Sequence, residues 1–389
     1  MKILDYNIKK ILDSRSNWTI ELELYNEKNI GVKSSVPSGK STGKNEVFNL
    51  DPDQAILKAK YIFSKIKNKD FKSQQEFDHF LISLDKTVNK SYLGGNTILA
   101  FSYCFAKLNA YFKHIELYDY FNNLVNLKNL KIKPKMPYLF VNVINGGLHA
   151  GNNLKFQEYL IIPKTNDILK AINLARILYL ELGKELKKIK GNNAINIGDE
   201  GGYAPNFKND FEPFEIISKI LKKLNLDKEF YFGLDAAANS INLSNDKLEK
   251  FYLKLIKKIN LIYLEDPFAE EDFEQFKKLK LKLKNVYICG DDLTTTNINS
   301  FKKADSENSI NSVIIKPNQI GTISETIEAI QFAKQKNWWI IVSHRSGETN
   351  DDLIADLAYG VAANGFKLGA PARGERVAKY NRLLEIANQ

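Results

Sequence analysis

Cysteine is nearly missing from this chain. The two present, Cys104 and Cys289, each sit inside an apolar run, which favours buried thiols over a disulfide framework or a cysteine metal site. A reducing compartment fits that usage. Long apolar runs are missing as well: no stretch reaches the ~18 residues a membrane-spanning helix needs. Met1 to Lys10 alternates apolar and polar residues instead of joining a basic region to a greasy one, so no export signal is expected and the expected location is the cytoplasm. Arginine is scarce beside lysine, with six residues (Arg15, Arg176, Arg345, Arg373, Arg376, Arg382) among 56 basic ones. The net charge of +10 comes from lysine spread along the whole chain, with no zinc-finger spacing and no aromatic RNA-binding signature. Neither nucleic acid nor membrane is therefore expected as a partner. The densest basic stretch, Lys277 to Lys284, alternates with leucine and reads as a solvated helix face.

What the chain does have is apolar mass. Its 389 residues are 44% hydrophobic and 11% aromatic, enough for a large core and two domains. Residues 1–127 read as strands first and helices after, an α+β module. Alternation marks a strand at Trp18 to Leu24 with a turn at Asn26 to Asn29, and helical periodicity runs through Ala55 to Ile66 and Thr97 to Phe112. A break at Lys131 to Pro137 places a linker over 128–137 and a second domain over 138–389. There one theme recurs: a short apolar run ending in a charged or polar residue, then a segment long enough for a helix. The end residues are Asp235, Glu265, Asp291, Lys316, His344 and Lys367, at intervals of 23 to 30 residues, which suits one βα unit each. Buried parallel strands read as continuous apolar runs, and a barrel of such units carries its chemistry at the strands' carboxyl ends. The expected fold is α/β, a TIM-like barrel preceded by the smaller module.

Singly, each strand-end residue reads as a turn or cap. Together, Asp235, Glu265 and Asp291 form a hard-oxygen triad of the kind magnesium takes, with a structural salt-bridge network as the alternative. Lys316, Lys367 and Arg345 gather cations that, if buried, need an anionic partner, which an anionic, phosphorylated substrate supplies. Glu200 lies in Gly198-Asp-Glu-Gly-Gly202, where glycines let backbone approach a ligand; the alternative there is an ordinary glycine-rich turn.

The segments Pro37-Ser-Gly-Lys-Ser-Thr-Gly43, Asn145-Gly-Gly-Leu-His-Ala150, Gln157-Glu158, Gly198 to Asn206, Glu265-Asp-Pro-Phe268, Gly290-Asp-Asp-Leu293, Lys316-Pro-Asn-Gln-Ile-Gly321 and Ser343-His-Arg-Ser-Gly-Glu348 resemble those of enolases, in the family's order. The resemblance runs from Ile11 to Tyr380. It implies an enolase-type barrel that reversibly dehydrates 2-phosphoglycerate to phosphoenolpyruvate in glycolysis, with two Mg2+ per active site, the second arriving with substrate. It further implies that Asp235, Glu265 and Asp291 hold the first Mg2+ and Ser41 reaches the second. Lys316 would be the base at C2, and Glu200, assisted by Glu158, the acid at the C3 hydroxyl. Arg345 and Ser346 would hold phosphate, Lys367 would face the substrate carboxylate, and Gln157, His149, Ser343 and His344 would line the pocket. A homodimer is implied too. Chemically, proton removal beside a carboxylate piles charge on it, which preorganised metal ions stabilise. A lysine base must have its pKa depressed, which the metals and Lys367 would do by like-charge repulsion.

The chain departs from the family pattern in places: Ser16-Asn17-Trp18 where Gly-Asn-Pro is usual, Lys40 before the loop serine, Leu148 before His149, an alanine run at Ala236 to Ala238, and an early end after Leu384. On an extended loop neighbouring side chains point to opposite sides, so Lys40 is expected to face solvent or phosphate, away from metal. The competing readings are another enzyme of the wider superfamily, a racemase or cycloisomerase, and a non-catalytic enolase-like binding protein.

Overall fold

The computed structural model describes residues 1–40, 43–126 and 130–389. Alternation at the amino end builds an antiparallel sheet in the order β1 (Ile3–Leu12), β2 (Trp18–Asn26), β3 (Gly31–Ser35). Ile20, Leu22 and Leu24 of β2 are fully buried while Glu21, Glu23 and Tyr25 between them are partly exposed, as a half-buried strand requires. The turn after β2 hangs on Asn26, whose side-chain oxygen accepts from the backbone N–H groups of Lys28 and Ile30. Four helices follow: α1 (Pro52–Ile66), α2 (Gln74–Asp85), α3 (Gly95–Phe112) and α4 (Leu117–Val125). The first begins ahead of the periodic stretch because Asp51 caps it and Pro52 occupies its first position. From Gly95 to Ala110 every residue of α3 except Lys107 is buried, so this helix is the core of the module.

Eight strands then close a barrel: β4 (Tyr138–Asn145), β5 (Glu158–Pro163), β6 (Phe230–Asp235), β7 (Leu261–Glu265), β8 (Tyr287–Gly290), β9 (Ser312–Ile315), β10 (Trp339–Ser343) and β11 (Gly365–Lys367), with β11 pairing back onto β4. The six runs read from the sequence are β6 to β11. The parallel pattern does not extend to all eight, since β5 runs antiparallel to both β4 and β6. That reversal has a consequence for the site. The first residue of β5, Glu158, pairs with the last of β6, Asp235, and so stands at the same mouth as the other strands' carboxyl ends.

The barrel interior is packed, not hollow. Phe140, Leu160, Ile162, Tyr263, Cys289, Ile314 and Ile341 fill it, and stacked Tyr287 and Trp339 rings, 3.7 Å apart, lie with Tyr138 and Tyr231 against its far end. Both cysteines are free and buried. The Lys277 to Lys284 stretch lies on and just beyond helix Phe273–Lys282, with Leu279 and Leu283 inside and the lysines outside. Among the described residues no helix is long and apolar enough to cross a membrane.

The amino-terminal module is pinned to the barrel mouth. Ser38 and Gly347 exchange two backbone hydrogen bonds (2.7 and 2.9 Å), and Ser38 Oγ donates to Asp13 Oδ2 at 2.8 Å. Asp13 also organises the turn after Leu12: its Oδ1 accepts from the backbone of Arg15 and Asn17, and Ser16 takes a φ of +60° that a glycine would adopt freely.

Candidate active site

Strand order sorts charge around the mouth. Glu158, Asp235, Glu265 and Asp291 come from β5 to β8 or the residue just after, and Lys316, Arg345 and Lys367 from the ends of β9 to β11. One half of the rim is anionic, the other cationic. In an eight-stranded ring β5 and β9 lie opposite each other, so Glu158 and Lys316 face across the cleft.

The register Glu158↔Asp235↔Glu265 lines three carboxylates in a row, because paired residues on adjacent strands project to the same side. All three are buried. The Lys367 ammonium reaches over them, 3.1 Å from Glu158 Oε1, 2.9 Å from Asp235 Oδ2 and 2.8 Å from Glu265 Oε2. Burial pushes the Glu265 carboxyl up to about 8, with the charge of Asp235 adding to it. Burial alone would lower Lys367, yet Asp235, Glu158 and Glu265 hold its ammonium well above the usual lysine range. Carboxylates packed this way call for a cation, which the Lys367 ammonium supplies. Among the described residues, the groups whose ligand atoms lie within 4.8 Å of one another and could hold a metal ion are His149, Glu158 and Glu200, and the all-carboxylate set Asp266, Asp291 and Asp292, which suits a hard divalent ion.

Asp291 lies beside the row, ion-paired to Lys316 and accepting from Gln319 Nε2 at 2.8 Å. Its turn is shaped by Asp266, which accepts from the backbone N–H groups of Asp291 (3.0 Å) and Asp292 (2.7 Å) and itself sits at φ +40°. Lys316 is extended, as the residue before Pro317 must be, and its N–H donates to Thr296 Oγ1. Burial works to lower the Lys316 pKa, but Asp291 outweighs it and the ammonium is held above its ordinary value. The depression expected from the sequence is thus not a property of the lysine with Asp291 as its partner.

Glu200 enters from the glycine-rich loop. Side chains at Gly198 or Gly202 would collide with Asn145, at 2.7 and 2.8 Å, so only glycine lets this loop lie against β4. Asn142 Nδ2 donates to Glu200 Oε2 at 3.0 Å, and His149 Nδ1 and His344 Nε2 stand 3.5 and 3.4 Å from its oxygens. The two acids of the cleft are driven apart. Burial and the neighbouring Glu200 push Glu158 well above the usual range, whereas for Glu200 burial is overcome by His344, His149 and Arg376, which hold it well below. Buried Gln157 Oε1, Glu158 Oε2, His149 Nδ1 and His344 Nε2 have no hydrogen-bond partner among the described residues, so the cleft is built for a polar ligand.

Arg345 is gripped by Glu46 of the amino-terminal module in a two-pronged pair (3.1 Å each) and by Asn318 Oδ1 at 3.0 Å. Ser346 Oγ accepts from the Lys40 backbone N–H at 2.8 Å. Ser343 lines the cleft, and its Oγ donates to the His344 carbonyl at 2.9 Å. Ser41 lies outside the described residues. The Lys40 ammonium pairs with Asp199 Oδ2 at 3.0 Å, bridging the serine loop to the Glu200 loop. Because that lysine is a third exposed, the pair is worth about 0.2–1 kcal/mol. Lys40→Ala should therefore change kcat/KM by at most about fivefold, the effect fading as salt is raised. A loss of about a hundredfold that persists in salt would show that Lys40 binds the substrate itself.

The model of the enolase amino-terminal domain matches residues 3–121, and that of the enolase carboxyl-terminal TIM barrel domain matches 133–242 and 239–389. This chain belongs to the enolase family. It is 40% identical to the enolase of Sulfurisphaera tokodaii over 98% of this chain and 96% of that one. The enolase of Methanocaldococcus jannaschii is 37% identical over 100% and 95%, and that of Ehrlichia ruminantium 40% over 99% and 96%. Membership makes the chain a lyase, a phosphopyruvate hydratase, and nothing supports the racemase, cycloisomerase or non-catalytic readings. Three residues in and around the cleft receive no role from sequence reasoning: Glu46, Asn142 and Arg376. Arg376 carries a signal, since six arginines among 56 basic residues make each one a candidate for geometry that lysine cannot supply. Glu46 and Asn142 carry none.

Proposed function

We propose that this enolase-family chain reversibly dehydrates 2-phosphoglycerate with Lys316 as the base and the Glu158–Glu200 pair as the acid, on opposite sides of one cleft. The observation that carries this reading is the placement of Glu158 and Lys316 on strands facing across the barrel. Lys316 takes the C2 proton, and the C3 hydroxyl leaves with a proton from the carboxyl pair, the two events falling on opposite faces of the substrate. Between substrate turnovers the pair's proton rests on Glu158, the acid whose pKa is raised, and Glu200 receives it through their shared neighbourhood at His149. Arg345 and Ser346 hold the phosphate, Lys367 faces the substrate carboxylate, and His149, Gln157, Ser343 and His344 shape the pocket.

Asp235, Glu265 and Asp291 would hold one Mg2+, and Ser41 would reach a second, arriving with substrate. Bound there, the ions supply positive charge to the substrate carboxylate as its electrons delocalise. Asp291 is the partner that keeps the Lys316 proton, and a cation on Asp291 would take that partner away. We further propose a cytoplasmic, glycolytic homodimer, divided into an amino-terminal module over 1–127, a linker over 128–137 and a catalytic domain over 138–389.

The test is direct assay of 2-phosphoglycerate dehydration, with Mg2+ and in excess chelator. Activity with Mg2+ and its loss on chelation are expected. Full activity in chelator would overturn the metal assignment, and no dehydration under either condition would overturn the function.

A further inference from the structure

Arg376 is fully buried, yet it sits on the first turn of helix Gly374–Ala387 and not on a barrel strand. Its guanidinium donates to four groups on two loops. On the loop after β10 these are the Arg345 carbonyl, the Ser346 carbonyl (2.7 Å) and His344 Nδ1 (2.7 Å); on the Glu200 loop it is the Asp199 carbonyl (3.2 Å). Lys379, one turn further on, adds a bond to Glu348 at 2.9 Å, so one helix face holds the whole segment from His344 to Thr349. Space around Arg376 is tight: a side chain at Gly369 would lie 3.0 Å from both Arg376 Cδ and His344 Cε1.

A guanidinium has donors only and does not give up its proton. The nitrogen that meets it at 2.7 Å must therefore offer a lone pair, which leaves the imidazole's single proton on Nε2, the atom 3.4 Å from Glu200 Oε2. We propose that Arg376 is a positioning residue of the dehydration site, one that locks His344 in the Nε2–H tautomer and so makes it a hydrogen-bond donor toward Glu200 and the cleft, never a base. This rests on the assignment of Glu200 to the acid pair. Protonating His344 would set Nδ1–H against an N–H of Arg376, two donors and two positive charges at contact distance. The charged groups facing the ring are Arg376, Glu200 and, through its loop, Glu348; Glu375 lies 3.5 Å from the Arg376 Nε and offsets part of its charge. Burial first, with Arg376 adding, pushes the His344 pKa down to about 4 against the pull of Glu200. The ring therefore does not compete with the substrate hydroxyl for the proton of the acid pair.

The experiment is nitrogen NMR of histidine-labelled full-length protein, with His344→Gln used to identify the His344 signals among the four histidines. In the native protein Nδ1 should be bare and Nε2 protonated, without titration between about pH 5 and 8. Arg376→Met, which removes the donor and its charge but not the burial, should give a mixture of tautomers, a ring that titrates higher than in the native protein, and a kcat lowered by about tenfold or more with an added loss on the acid side. Arg376→Lys, whose longer side chain carries a donor close to where the guanidinium lies, should keep the native tautomer and recover part of kcat. A native His344 with its proton on Nδ1, or one that titrates near pH 6.5, would overturn the proposal even if no Arg376 variant folds. So would an Arg376→Met protein with an unchanged tautomer. The tautomer is read without turnover, so a wrong assignment of Glu200 would leave the NMR result intact and show only in the activity profile.

Discussion

Lys316→Ala should abolish exchange of the C2 proton of 2-phosphoglycerate with deuterated solvent and lower kcat by about 10²–10⁴-fold or more, the usual contribution of a positioned base. Lys316 is the cationic group directly opposite the acid pair, and its backbone is fixed by Pro317 on one side and by the bond to Thr296 on the other. Its partner Asp291 holds its ammonium above the ordinary value, so on the proposed roles the base and metal functions are coupled through Asp291. Chelation should accordingly stop exchange as well as dehydration. Glu200→Gln separates the two steps, retaining exchange while losing dehydration, because hydroxide still needs a proton to leave. Exchange at the native rate in Lys316→Ala would move the base elsewhere, with Lys367 the next candidate.

How far the sequence carries depends on the range of the interaction being read. Strands β6 to β11 are legible because each is a continuous apolar run between helical segments, and their end residues form the rim. The reversed strand β5 is not, since its six residues are all buried and an apolar run looks the same in either direction. Glu158 is placed from the sequence by resemblance alone; direction is what puts it beside Asp235. Helices α2 and α4 are short amphipathic pieces whose apolar residues match the rest of a generally apolar module. Partnerships across the chain are also invisible. Glu46 and Arg345 are 299 residues apart, and nothing local in either predicts a two-pronged pair. Lys40 is a further case: strand alternation gives an expectation for its direction, but the partner it meets, Asp199, requires the fold.

Lys367→Met should produce the largest stability effect at the site. It removes the ammonium that, among the described residues, contacts Glu158, Asp235 and Glu265 while keeping most of the side chain's volume, and leaving buried charge unpaired costs about 3–5 kcal/mol. The deficit should depend on pH with a definite sign. Glu265 has a folded-state pKa near about 8 against an ordinary value of 4.5, and loss of Lys367, which lowers it, raises it further. A raised folded pKa gives stability that is present below the unfolded value and is lost as pH rises through the folded one. Native and variant lose this contribution together up to about pH 8, so the variant should run parallel to the native protein from pH 5 to about 8 and fall further behind it above that. A divalent cation can replace the missing charge on the carboxylates. At a hundred times its dissociation constant, Mg2+ should restore about 2.7 kcal/mol, which denaturant titrations in chelator and in Mg2+ would read directly. Catalysis should not return with stability, because the substrate carboxylate has lost its lysine. Equal stability of variant and native protein in chelator across this pH range, with no response to Mg2+, would mean that the carboxylate row needs no cation and is not a metal site.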